Sequence, residues 1–192
     1  MKKILSSIWN ISYKIWLFLF VITAIICVAA MRDNNQTMSK LRQDVYTADQ
    51  NNGDVNAALN NLRNYIYAHM NTSLSGGSNI KPPIQLKYTY QRLYDAQYNQ
   101  LQDTNQQIYN AGKNACHPTT SGTYDPARLA CIEQYAINHG VAGANINISP
   151  VLYEFDFASP AWSPDLAGWS LLIGIAFFLL FAIRYGYHRF AE

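Results

Sequence analysis

Two uncharged apolar stretches constrain this 192-residue chain more than anything else in it. Residues 15–31 read IWLFLFVITAIICVAAM, between Lys14 and Arg32. Residues 166–183 read LAGWSLLIGIAFFLLFAI, between Asp165 and Arg184. They are 17 and 18 residues long. A helix rises about 1.5 Å per residue, so about 17–20 apolar residues cross the hydrocarbon of a bilayer. Trp9, Tyr13 and Trp16 flank the first stretch; Trp162, Trp169, Tyr185 and Tyr187 flank the second. That is the aromatic belt expected at the level of lipid headgroups. A buried core helix rarely runs this far without a charge. A cleaved signal peptide is the rival for the first stretch, because CVAAM at 27–31 offers small residues. The long leading segment, with Lys14 against the apolar run, favours an uncleaved anchor. Bulky Ile26 before Cys27 argues against lipidation there. Two transmembrane helices are therefore expected.

Charge sets the expected orientation. Lys2, Lys3 and Lys14 lie in the first 14 residues, and Arg184 and Arg189 in the last 9. Short segments dense in Lys and Arg stay in the cytoplasm. The expectation is a cytoplasmic tail at 1–14, a span at 15–31, an extracytoplasmic domain at 32–165, a span at 166–183 and a second cytoplasmic tail at 184–192. The outer region carries nine basic and eleven acidic residues, so it offers nucleic acid no electrostatic footprint. The net charge of +2 thus reports topology rather than a partner.

The cysteines agree with this placement. Cys27 falls in the first span and reads as an apolar filler. Cys116 and Cys131 fall outside, 15 positions apart, where an isolated pair normally oxidises. His117 and His139 allow a Cys-His-Cys-His metal site to be drawn. Its spacing matches no compact zinc pattern, and the disulfide is the stronger reading. No metal and no cofactor is expected.

The outer region reads as helices. Met38, Leu41, Val45 and Ala48 share one helix face, and Val55, Ala58, Leu59, Leu62, Ile66 and Met70 share another. Residues 51–54 interrupt the two, and Asp54 can cap the second. No Gly or Pro lies between Ile4 and Asn52, so the first span is expected to run into the first outer helix as one rod. Residues 73–79, SLSGGSN, read as a turn. Pro82 and Pro83 then suit the first turn of a helix spanning about 83–113. Asp125-Pro126 reads as a cap and first-turn proline, opening a helix to about Asn138 that Gly140 stops. Residues 141–164 read as loop, with a short strand at 151–157. Pro160 and Pro164 keep the chain extended before the second span. The fold expected is all-α: two spans flanking an external helical hairpin or small bundle with one disulfide.

Chemistry is sparse. Tyr90, Tyr94, Tyr98, Leu101 and Ile108 share one face of the central helix, beside Leu86, Leu93 and Ala96. Aromatics at helical spacing usually build core, so this stripe is expected to be a packing seam facing the preceding helix. A sugar or peptide platform would need several rings exposed together. Tyr88, off the stripe, is the ring expected to make an exposed contact. Glu154 and Asp156, at i and i+2 in YEFDF, are the one close carboxylate pair in an apolar setting, and solvated edge residues are the favoured explanation of them. There is no nucleophile elbow, Walker loop, HExxH or dinucleotide turn. Neither span holds an internal charge, which disfavours transport. Gly168 and Gly174, with Ala167 and Ala176, hint at close helix packing within a membrane. Asn10, Asn35, Asn71 and Asn147 begin N-x-S/T sequons, which are too readily met by chance in an Asn-rich chain to imply glycosylation.

The segments NNGDVNAALNNLRNYIYAHMNT, IKPPIQLKYTYQRL, CIEQYAINHGV and FASPAWSPDLAGWSLL resemble a family of small two-span membrane proteins from Saccharibacteria, ultrasmall host-dependent bacteria. The resemblance covers about residues 31–175. It implies a bacterial cell-envelope protein and no particular activity. The function expected is an interaction or structural module of the envelope, not an enzyme. Its expected partners are the bilayer and a membrane or surface protein or a second copy, with Tyr88, Glu154 and Asp156 as interaction residues. As a sensor it would need a partner for output, since the tails are short. The alternative is an extracytoplasmic enzyme or accessory factor acting on wall or lipid substrates, with Glu154 and Asp156 as the place to look.

Overall fold

A computed structural model describes residues 12–72, 74, 81–117, 125–141 and 145–191. The 73–79 turn, apart from Leu74, and the start of the N-terminal tail with Trp9 and the Asn10 sequon lie outside the described residues. The fold is all-α, with five α-helices among the described residues. They are α1 (Tyr13–Gln50), α2 (Val55–Ala68), α3 (Lys87–Ala115), α4 (Pro126–Asn138) and α5 (Leu166–Ala191). The chain divides into two compact units. One comprises Met1–Ile84 with Phe155–Glu192, the other Gln85–Glu154. A two-stranded pairing of β1 (Ile84–Gln85) with β2 (Glu154–Phe155) marks where the chain passes from one unit to the other and back.

In the first unit, α1 is one unbroken helix of 38 residues, about 57 Å long. Nothing in it breaks the backbone hydrogen-bond ladder, so the apolar span and the outer helix form a single element. It ends at Asn51, whose N–H donates to the Thr47 carbonyl, and Asn52 turns the chain with φ 53°. The Asp54 carboxylate then accepts from the Ala57 N–H at 2.8 Å and starts α2. The hairpin closes on two buried stripes: Met38 and Val45 on α1, and Leu59, Leu62 and Ile66 on α2. Tyr46 donates its hydroxyl to the Pro83 carbonyl at 3.3 Å, and Arg42 Nη1 donates to the Leu74 carbonyl.

α5 packs antiparallel along the apolar half of α1. Trp16 meets Phe177 with centroids 5.8 Å apart, and Phe20 meets Phe178 at 5.3 Å. Tyr13 meets Tyr185 at 5.8 Å. Small residues set the spacing between these contacts. A Cβ on Gly174 would lie 3.4 Å from Thr23 Oγ1, and buried Ala30 and Ala167 sit in one apolar cluster with Met70. The small residues of the second helix thus serve pairing within the chain itself. The outward faces keep large apolar side chains exposed, among them Phe18, Ile25, Val28, Leu179 and Ile183. Both helices are long and apolar enough to cross a membrane.

The second unit is a hairpin of α3 and α4 closed by a disulfide between Cys116 and Cys131, with Cα atoms 6.0 Å apart. Gly112 is buried because α4 approaches there: a Cβ would sit 3.2 Å from the Tyr135 ring. Arg128 on α4 donates from Nε to the Cys116 carbonyl at 3.0 Å and from Nη2 to the Lys113 carbonyl at 3.1 Å. Those carbonyls end α3 and lack helical partners, so the guanidinium caps one helix from the other. Asp125 caps α4 through the Ala127 and Arg128 N–H groups, and Pro126 occupies the first turn as expected. Gly140 ends the helix region with φ 76°.

Two expectations are corrected. Pro82 and Pro83 do not open α3; they lie in a bend, with a cis peptide at Lys81–Pro82, and α3 starts at Lys87. Ile84 and Leu86 are buried and Gln85 is exposed, an alternation that burial resolves as strand. The expected strand at 151–157 reduces to Glu154–Phe155, preceded by a 3-10 turn at Pro150–Leu152.

Candidate functional site

The tyrosines of α3 do not form a packing seam. Tyr90 is 37% exposed and Tyr98 39%, and Tyr94 is half-buried. Spaced four apart, they stack along the helix instead of inserting into a partner. Tyr90 and Tyr94 centroids lie 6.3 Å apart, and Tyr94 and Tyr98 6.4 Å apart with ring planes within 8° of parallel. Tyr153 closes one end, edge-on to Tyr90 at 4.9 Å. Its position is fixed by the Leu86 N–H, which donates to the Tyr153 carbonyl at 2.8 Å. The only buried residue of α3 is Gly112, near its far end, so none of the rings is fully covered.

The row leads into a shallow cleft of about 330 Å3. Gln97, Gln100, Leu101, Thr104 and Asn105 line it from α3, and Gly140, Asn145 and Ile146 from the chain after α4. None of the described lining residues is charged. The surrounding helix is unusual in the same way: α3 holds ten Asn or Gln side chains and five tyrosines, against five charged residues. An exposed helix gains more from Lys and Glu, which propagate helix better than Asn and pair across one turn. Amides in their place give paired donors and acceptors without net charge.

The residues singled out from the sequence are dispersed. Tyr88 is exposed, with Lys87 Nζ 6.0 Å from its ring centre. Glu154 is half-buried beside Tyr153. Burial of that phenol, then the Glu154 charge, the Tyr90 neighbour and a hydrogen bond with Glu154 raise its pKa above the ordinary 10.0. Asp156 is exposed and belongs to the other unit. Neither carboxylate lines the two clefts described here. The disulfide occupies both sulfurs of the drawn Cys-His site. Among the described residues, no group of three or more His, Cys, Asp or Glu is placed to hold a metal ion.

A polar knot in the first unit had no sequence signal beyond Asp before a helix. Asp165 Oδ1 accepts from the Gly168 N–H and from Ser163 Oγ, both at 2.9 Å, and Oδ2 accepts from Asn34 Nδ2 at 2.8 Å. Ser163 Oγ accepts in turn from the Met70 N–H at 2.9 Å. The segments around Asn34 and Met70 are thus tied to the start of α5, the first by the Asp165 carboxylate directly and the second through Ser163 Oγ. Burial raises the Asp165 pKa, but the bonds from Gly168, Asn34 and Ser163 and the nearby His69 outweigh it, so the carboxyl titrates below its ordinary 3.8. A cleft of about 410 Å3 beside it is lined by Ile26, Ala29, Ala30, Asp33, Asn34, His69, Asp165 and Leu166.

No protein family, characterised protein or solved structure matches this chain.

Proposed function

We propose that the chain is a two-pass protein of a bacterial cell envelope. Both termini are cytoplasmic, and the region between the spans is an extracytoplasmic module that binds a component of the surrounding surface. The anchoring rests on the α1–α5 pair, whose outward faces expose Phe18, Ile25, Val28, Leu179 and Ile183 over the length of a bilayer. Hydrocarbon is the solvent that such faces suit. The orientation rests on the five basic residues of the two tails. The binding role rests on one observation above the rest, the exposed row of Tyr90, Tyr94 and Tyr98 on α3. Large, rigid rings with a hydroxyl tip supply contact area at low conformational cost and are enriched where proteins meet partners. A membrane or surface protein, or a second copy of the chain, fits such a row.

A photo-crosslinking residue at position 98, in intact cells, tests this. A covalent adduct is expected at 98 and not at Glu133, which is exposed on α4. Adducts at neither position, at full expression, would remove the binding face from α3.

A further inference from the structure

We infer that the neutral cleft at the end of the tyrosine row is a binding site for an uncharged oligosaccharide. This rests on the reading of α3 as a binding face and names the ligand chemistry of its cleft. Sugar hydroxyls both donate and accept hydrogen bonds, and they carry no charge. The groups that match them are side chains with both capacities in fixed geometry. Gln97, Gln100 and Asn145 each carry a side-chain carbonyl and an amide, and Thr104 carries a hydroxyl. Thr104 Oγ donates to the backbone carbonyl of Gln100 at 2.8 Å, one turn back on α3, which leaves its lone pairs as acceptors.

The apolar half of a sugar ring, its C–H face, needs a flat apolar surface. Leu101 and Ile146 supply one inside the cleft. Tyr98 lies on α3 three residues before Leu101, and so on the same helix face, and its ring is parallel to that of Tyr94. Sugars therefore meet hydrogen-bonding groups and apolar side chains in the cleft, beside the exposed rings of the row. The cleft is open and shallow in the way that suits a chain of sugars passing through rather than a small enclosed ligand.

Other ligand classes fit less well. Phosphorylated or sulfated ligands call for Arg or Lys in the lining, and there is none among the described residues. A cationic ligand calls for a carboxylate, which is also lacking. An uncharged peptide shares part of the hydrogen-bonding chemistry but has no repeated C–H face for Leu101 and Ile146 in the cleft.

The test uses the full chain in lipid nanodiscs on an array of neutral, acidic and sulfated oligosaccharides, with uncharged peptides alongside. Binding is expected on neutral sugars and displaced by the same sugar free in solution. Gln100→Ala and Thr104→Val should each weaken it at least fivefold while leaving the melting temperature unchanged, since Gln100 and Thr104 are exposed. No binding to any neutral sugar overturns the inference, as does binding confined to charged sugars. Binding that survives both substitutions overturns the site, and stronger binding to the peptides overturns the ligand class. The cross-link at position 98 separates the outcomes. If it persists in the cell while the array stays blank, the binding face stands and the oligosaccharide falls; if both are lost, the face falls too.

Discussion

Asp165 accepts three hydrogen bonds, two from its own neighbourhood and one from Asn34 on α1, and so at residue scale it both caps α5 and ties it to α1. Asp165→Ala removes the N-terminal cap of α5 and leaves one N–H of the buried Asn34 amide without its 2.8 Å partner, the amide keeping only its 3.4 Å bond to the Met70 carbonyl. Losing a cap costs about 1 kcal/mol, and an unsatisfied buried donor about 1–3 kcal/mol. The expected loss is about 2–3 kcal/mol, read from denaturant unfolding in detergent. An unchanged midpoint would mean that water replaces the carboxylate at no penalty. The pH dependence follows from the lowered pKa. A depressed carboxyl stabilises fully above its unfolded value of about 3.8, and that stabilisation is lost as pH falls below it towards the folded value. The stability difference between the native chain and Asp165→Asn should therefore be flat from pH 7 to about pH 5 and narrow below about 3.8. A difference that narrows above pH 5 would contradict the assigned direction.

At the scale of elements, what the sequence discloses depends on how local the cause is. The unbroken α1, the Asp54 cap and the Asp125-Pro126 start are set by neighbours in sequence, and they stand as read. The tyrosine row does not, because periodicity says which residues share a face but not whether anything covers it. Pro82 and Pro83 mislead for a similar reason: Ile84 and Leu86 are drawn inward by a strand, β2, that lies about 70 residues on. The Asp165 knot is invisible from the sequence because Asn34 is 131 positions away. The amides of α3 have no spacing signal of their own in the sequence; the cleft brings Gln97, Gln100, Asn105 and Asn145 together. The disulfide was legible, and its role belongs to the hairpin. It closes a 15-residue separation, worth about 3 kcal/mol by loop entropy. Cys116→Ser with Cys131→Ser should therefore speed amide hydrogen exchange through α3 and α4 and leave α1 and α5 unchanged. Unchanged exchange in α3 and α4 would show that the Gly112–Tyr135 contact and the Arg128 cap hold the hairpin alone.

For the whole molecule, the cysteines report the proposed topology directly, because they differ in both burial and side of the membrane. Cys27 is buried against α5, with Sγ 3.7 Å from the Ala167 carbonyl oxygen. Cys116 and Cys131 are paired in the unit assigned to the outside. A membrane-impermeant thiol reagent applied to intact cells should label nothing before reduction and two thiols per chain after it. Both labels should vanish in the Cys116→Ser, Cys131→Ser chain. A reporter that functions only in the cytoplasm, fused after Glu192, should be active. The inverted orientation would export Lys2, Lys3, Lys14, Arg184 and Arg189 while keeping a nearly neutral domain inside, against the known bias of Lys and Arg. It would also hold the disulfide in a reducing compartment. Free, unlabelled Cys116 and Cys131 in intact cells, with a silent reporter, would establish that inversion. It would also remove surface sugars from reach of the α3 cleft, so this experiment bears on the binding proposals as well as on the anchor.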